Sequence, residues 1–215
     1  MPIDFSVVIP AHNEALYLES TLASVRSQDF EGNVELIVVD NNSDDATADI
    51  ARDYADLILY CRELQGAAAA RQQGARRARG NAILFVDADT VLSPNLLSEA
   101  ARSLKAGYVG GCAPVEVLDD AFSARWTEAC LNAWYRYIGP TFIPGLYCAR
   151  EVFQRVGGWD VGISCAEEMR LLRRLREHGQ LAWNSGCSMA TDARRFRAEG
   201  YYALAFKGML AQLFG

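Results

Sequence analysis

"ILFVDADT", residues 83–90, is an apolar run that ends on two acids. Ile83, Leu84, Phe85 and Val86 read as a buried strand, and Asp87 and Asp89 stand one residue apart at its end. A strand that is apolar at every position, rather than at alternate ones, belongs where both faces of a sheet are covered. Three upstream runs share this character: "FSVVIP" (5–10), "VELIVVD" (34–40) and "LILYC" (57–61). Helical spacing fills the intervals. In 14–28, Leu18, Leu22 and Val25 share a face; 44–55 has acids in its first turn, where the helix dipole favours them; 66–80 is rich in Ala. Residues 94–107 open with Pro94 and close with Gly107, the usual polarity of helix punctuation. Strand and helix thus alternate four times over 5–107, which predicts an α/β fold with a mostly parallel sheet and helices on both faces. Ligands of such sheets bind outside the carboxyl ends of the strands. Pro10 to Glu14, Asp40, and Asp87 with Asp89 all fall at those ends, so topology alone gathers them on one rim.

Beyond residue 107 the pattern changes. "GGCAPVEVL" (110–118) reads as a strand, 121–139 as an amphipathic helix, "TFIPGLYCAR" (141–150) as strand-like and "EEMRLLRRLREHG" (167–179) as a helix with a Gly stop. There is no internal repeat and no low-complexity linker. The expectation is one domain over 1–215: a ligand-binding half at 5–107, a second half at 108–197 and an apolar C-terminal helix at 198–214.

Composition narrows the classes. The chain has 215 residues, is 51% hydrophobic and 22% charged, and so is far too apolar to be disordered. A net charge of −6 argues against a nucleic-acid partner. Six scattered cysteines, none in a CxxC pair, point to buried free thiols in a reducing cytoplasm rather than to zinc. The opening "MPIDFSVVIPAHNE" lacks the basic start of a secretory leader, and no apolar run approaches the ~20 residues that span a bilayer. The stretch 198–214, with Tyr201, Tyr202, Phe206, Leu210 and Phe214, has two readings: a helix packed back on the domain, or a peripheral contact with the inner face of the cell membrane.

Several phosphate chemistries can be tested on the rim. A dinucleotide fold needs GxGxxG after its first strand; here that turn is "PAHNEA", with no Gly. The GxxxxGK[ST] loop is absent. "ILFVDADT" also resembles the nucleophile motif of haloacid dehalogenase phosphatases, but three strand–helix units precede it here, where that motif normally follows the first strand. Two acids one residue apart can instead hold a divalent cation on diphosphate oxygens, which suits a nucleotide-sugar site.

"VVIPAHNE" (7–14), "LIVVDNNSDDAT" (36–47), "GAAAARQQGARRARGNAILFVDADT" (66–90), "GGWD" (157–160) and "EEMRLLRRLREHG" (167–179), in that order, resemble family 2 glycosyltransferases of the GT-A fold. The resemblance implies an inverting transferase that uses a nucleoside-diphosphate sugar and Mg²⁺ or Mn²⁺. It implies a donor pocket containing Pro10, Ala11, Asn13 and Glu14, with Asp40 at the base and Arg71 near the donor. Asp87, Ala88 and Asp89 would form the DxD segment, whose two acids bind the metal, and "GGWD" would lie towards the acceptor. The acceptor would be a hydroxyl of a saccharide, a lipid or a small molecule. Two departures stand out. Glu167-Glu168 replaces the family's usual Glu-Asp, and where many such enzymes carry a late histidine ligand the only histidines here are His12 and His178, the latter at a helix end before Gly179.

Glu168 is the expected general base. Leu171, Leu172 and Leu175 follow it by three, four and seven residues and share its face, so it is aimed inward, opposite Arg170, Arg173, Arg174 and Glu177. Glu167, a quarter turn away, is expected to end the helix or to orient the acceptor. Arg76, Arg77 and Arg79 read as a solvated helix end. Two other functions stay open at this level: a DxD-metal phosphohydrolase or nucleotidyltransferase, and a nucleotide-sugar-binding domain without catalysis.

Overall fold

The computed structural model describes residues 2–61, 66–137, 144–162 and 167–203. In chain order the elements are β1 (Phe5–Ala11), α1 (Leu18–Arg26), β2 (Val34–Asp40), α2 (Thr47–Tyr54), β3 (Leu57–Tyr60), α3 (Ala67–Arg77), β4 (Ala82–Val86), β5 (Thr90–Leu92), α4 (Leu96–Lys105), β6 (Gly110–Cys112), β7 (Val115–Leu118), α5 (Phe122–Tyr137), β8 (Gly145–Ala149), α6 (Arg150–Arg155), α7 (Glu167–Arg176), β9 (Leu181–Trp183), β10 (Met189–Asp192) and α8 (Arg194–Glu199).

The main sheet has the order β3-β2-β1-β4-β8-β6-β9. Neighbours are parallel except at β8, which runs antiparallel to both β4 and β6. Alternate residues of the central strands feed two cores. Val8, Ile37, Val39, Ile83 and Phe85 pack with residues of α3, α5 and α7. Val7, Ile9, Leu36, Val38, Leu84 and Val86 pack with residues of α1 and α4. Both faces are therefore dry, which explains why these strands are apolar throughout, each side chain contributing about 1.5–3 kcal/mol on burial. Helix α3 lies especially close to the sheet: a Cβ on Gly74 would come within 2.4 Å of Val8 Cγ1.

The expected strand at 110–118 is two strands in different sheets. Pro114 has no N–H to give a ladder, so the pairing breaks there. Strand β6 stays in the main sheet, while β7 joins a three-stranded sheet of order β5-β10-β7. Strands β5, β9 and β10 and helix α6 were not legible as separate elements, because three to six residues show no period. Residues expected to begin a helix at 14 instead form a turn, and α1 starts at Leu18.

Cys61, Cys112, Cys148 and Cys187 are buried free thiols and Cys130 is a half-buried one, as their apolar contexts suggested; Cys165 lies outside the described residues. Of the expected helix at 198–214, residues 204–214 lie outside the described residues. Tyr202 makes an edge contact with Trp126 at 5.1 Å between ring centroids. No helix among the described residues is long and apolar enough to cross a membrane.

Candidate active site

The in-register pairing of β1 with β2 places Pro10 opposite Val39 and Ala11 opposite Asp40, and β4 ends alongside them, one residue before Asp87. A cleft of about 700 Å³ opens on this rim. Pro10, Ala11, Glu14, Arg71, Asp87, Ala88, Asp89, Glu167 and Glu168 all line it, and so come together as the sequence predicted. Asn41, Asn42, Thr191, Asp192 and Arg194 line it as well.

Asn13 and Asp40 are not among the lining residues. Asn13, at φ +56°, accepts from the Asp44 N–H at 2.8 Å and gives its own N–H to Ser43 Oγ at 3.0 Å. It thereby locks the loop after β1 to the loop after β2. Asp40 is buried, and its Oδ1 accepts from the Ser43 N–H at 3.0 Å, so its carboxylate shapes that second loop. Asn41, the next residue, does reach the cleft, and its buried Oδ1 has no hydrogen-bond partner.

Two arginine-centred clusters divide the acids. Helix α3 delivers Arg71, whose side chain is only 6% exposed, into a ring of carboxylates. Its Nη2 donates to Asp87 Oδ1 at 2.5 Å; its Nη1 donates to Glu168 Oε1 at 3.2 Å and lies 3.6 Å from Glu167 Oε1. Burial alone would make this guanidinium easier to deprotonate, but Asp87 and Glu168 outweigh it and raise its pKa further. The guanidinium carbon also stands 5.0 Å from the centroid of the Trp159 ring. Burial, followed by the neighbouring charges of Glu167 and Asp87, raises the pKa of Glu168 against the opposing pull of Arg71. A carboxylate so placed holds a proton more readily than a free one.

Trp159 is set by the "GGWD" turn. Gly157 and Gly158 have φ of +82° and +73°, a region that favours glycine. Gln72 accepts from the Trp159 N–H at 2.8 Å, and the ring packs edge-on against Phe85 at 5.1 Å. Arg174, expected on the solvent face of its helix, instead donates to the carbonyls of Val156 and Gly158, each at 2.7 Å. It clamps the turn from behind.

The second cluster was not foreseen. Arg194, at the start of α8, donates through Nη2 to Glu14 Oε1 and to Asp89 Oδ2, the latter at 3.1 Å, and lies over Tyr17 at 4.6 Å from the ring centroid. The other Asp89 oxygen is 3.5 Å from Thr191 Oγ1. Burial pushes the Asp89 carboxyl up to about 6; Asp87 and Glu14 add to this and Arg194 opposes it. The buried Oε2 of Glu14 has no partner. No local signal marks Arg194 in the sequence, because its acidic partners lie 105 and 180 residues away.

The donor set can be tested against a divalent cation. Asp87 and Asp89 offer hard carboxylate oxygens to the cleft. No group of three or more His, Cys, Asp or Glu side chains suited to a metal occurs among the described residues. Neither histidine completes one: His12 donates through Nδ1 to the Asn41 carbonyl at 2.9 Å, and His178 is exposed beyond the end of α7. Two carboxylates fit Mg²⁺ or Mn²⁺, which commonly take one or two such ligands and complete their shell with phosphate and water oxygens.

Comparison with known proteins identifies the family and the fold. Residues 6–159 match the model of Glycosyl transferase family 2. The putative glycosyltransferase EpsH of Bacillus subtilis (strain 168) is 33% identical over 103 residues, which is 46% of this chain and 29% of EpsH. The chain thus spans under a third of that relative's length. S. aureus TarS 1–349 in complex with UDP-GlcNAc superposes with a TM-score of 0.71 at 18% identity, covering 89% of this chain and 59% of that one. The mannosyltransferase PcManGT from Pyrobaculum calidifontis, in complex with GDP-Man and Mn²⁺, gives 0.71 at 22% identity, covering 95% and 60%. The shared fold is GT-A. The chain belongs to glycosyl transferase family 2.

Proposed function

We propose that this chain transfers a sugar from a nucleoside-diphosphate sugar to an acceptor hydroxyl, with inversion and with a divalent cation. The observation that carries this reading is the Arg71 cluster: one buried cation joins Asp87, of the DxD pair, to Glu168, the candidate base, in a single cleft. Solved relatives holding UDP-GlcNAc, or GDP-Man with Mn²⁺, support the donor class.

Mg²⁺ or Mn²⁺ on Asp87 and Asp89 would supply positive charge to the leaving diphosphate. The nucleoside would lie along Pro10, Ala11 and Glu14, with Asn41 on the same wall. Asp40 and Asn13 would act one step back, by shaping the two loops that form this wall. Glu168 would take the proton of the acceptor hydroxyl as its oxygen attacks the anomeric carbon. The bond from that carbon to the diphosphate oxygen then breaks, and its electron pair leaves with the diphosphate. The raised affinity of Glu168 for a proton serves this role, and Arg71 holds the carboxylate in position. Glu167 would orient the acceptor from the same helix turn.

The test is calorimetry of UDP-, GDP- and dTDP-sugars against the purified chain with Mn²⁺ and with EDTA, followed by product analysis. Metal-dependent binding and release of a nucleoside diphosphate are expected. Inorganic phosphate as the product would favour phosphohydrolase chemistry, and equal affinity in EDTA would overturn the metal dependence.

A further inference from the structure

Arg194 sits where the proposed cation would act. Its Nη2 lies 3.1 Å from Asp89 Oδ2 and also donates to Glu14 Oε1. Its side chain is 40% exposed and faces the cleft, and apart from these two acids it is steadied by the Tyr17 ring. Arg71 is fixed differently: it is buried among three carboxylates on the far side of Asp87. The two arginines thus pair with the two acids of the DxD segment, Arg71 buried and Arg194 partly exposed at the cleft. A cation on Asp89 and a guanidinium on the same carboxylate repel each other, strongly so at contact distance in a half-buried site. A diphosphate offers the displaced guanidinium a better partner, since a planar fork matches phosphate oxygens.

We propose that Arg194 is an exchangeable counter-ion: without donor it stands in for the divalent cation on Asp89 and Glu14, and with donor it swings to the diphosphate oxygens. This rests on the reading of the cleft as a nucleotide-sugar site. It deepens that reading by assigning a diphosphate ligand on the last described helix. Asp89 is then balanced at every stage, first by Arg194 and afterwards by the metal, and no step leaves the acids of Glu14 and Asp89 facing each other unscreened.

The idea predicts effects of opposite sign from one substitution. Removing the guanidinium frees Asp89 for the metal but deprives the diphosphate of a ligand. Arg194→Ala should bind Mn²⁺ alone more tightly, by about tenfold, and a nucleoside diphosphate with saturating Mn²⁺ more weakly, by about tenfold or more, the range of one charge-assisted hydrogen bond. Arg194→Lys keeps the charge without the fork, so its Mn²⁺ affinity should stay near wild type while its diphosphate affinity falls between the other two. Free Mn²⁺ is read by electron paramagnetic resonance with protein alone, and UDP, GDP and dTDP are titrated by calorimetry. If wild type binds none of the three with Mn²⁺, the nucleotide-sugar reading falls and this inference with it. If wild type binds one of them, but Arg194→Ala moves both affinities in the same direction or moves neither, the counter-ion exchange alone is overturned.

Discussion

Arg71 and Glu168 meet at 3.2 Å although 97 residues separate them. The contact joins a helix of the first half, packed tightly on β1 through Gly74, to the first turn of α7. Asp87 shares the same guanidinium, so the candidate base and a DxD acid are spaced by a single side chain. Displacement of either carboxylate is felt by the other.

Glu168→Gln retains the size of the side chain and most of its hydrogen bonding but cannot accept a proton. Turnover should fall on the order of a hundredfold or more, while donor affinity stays close to wild type. Steady-state kinetics alongside donor calorimetry separates the two effects. Near-normal turnover in Glu168→Gln, with a large loss in Glu167→Gln, would move the base to Glu167.

Replacing Arg71 by Met keeps much of the apolar stem and removes the charge. Asp87, Glu167 and Glu168 would then face one another without a cation, which should cost about 3 kcal/mol of stability. Urea denaturation at neutral pH reads the loss directly. Because the penalty comes from carboxylates repelling one another, the gap between variant and wild type should narrow as the pH is lowered towards 4. A gap independent of pH would mean that lost packing on Trp159 dominates instead.

Asp89 gives the metal-free protein a defined pH response. Its folded-state pKa, at about 6, lies above the ~3.9 of an unfolded Asp. Between these values the folded chain holds a proton that the unfolded chain has released, so the contribution of Asp89 is greatest below about pH 4 and is lost as the pH rises through 6. In EDTA, wild type should therefore lose stability relative to Asp89→Asn as the pH goes from 4 to 7. Parallel urea midpoints across that range would contradict this.

Gly158→Ala tests the turn behind the site. A Cβ there would lie 2.4 Å from Gln72 Oε1, the acceptor that fixes the Trp159 N–H, and φ of +73° strains any residue with a side chain. A loss of about 2 kcal/mol is expected. Altered fluorescence from Trp159 would accompany it, since the ring would shift on Phe85 and Arg71.

The buried strands and the rim acids were legible because their signals are local: runs of four to seven residues and a strand that ends on an acid. The inward aim of Glu168 was legible from its leucines, and Leu171, Leu172 and Leu175 are indeed buried. Met169 is buried too, so the covered arc of α7 is wider than the leucine stripe, and Glu167, a quarter turn from Glu168, also lies beside Arg71. Arg174 was misplaced because a long side chain can run along a helix flank and deliver its charge to backbone carbonyls out of view of any periodicity. Arg194 was invisible because everything that defines it lies far away in the chain.

The small sheet has a consequence for synthesis. Asp89 immediately precedes β5 and Arg194 follows β10, and the antiparallel pairing of Thr90 with Thr191 brings them together. A chain emerging from the ribosome can pair β1, β2, β3 and β4 once residue 86 has cleared the exit tunnel, yet it has no partner for β5 until residues 189–192 arrive. Until then Glu14 and Asp89 both lack Arg194, and the rim carries an unneutralised acidic pair. Docking of β10 on β5 therefore completes the small sheet and neutralises the rim in one step.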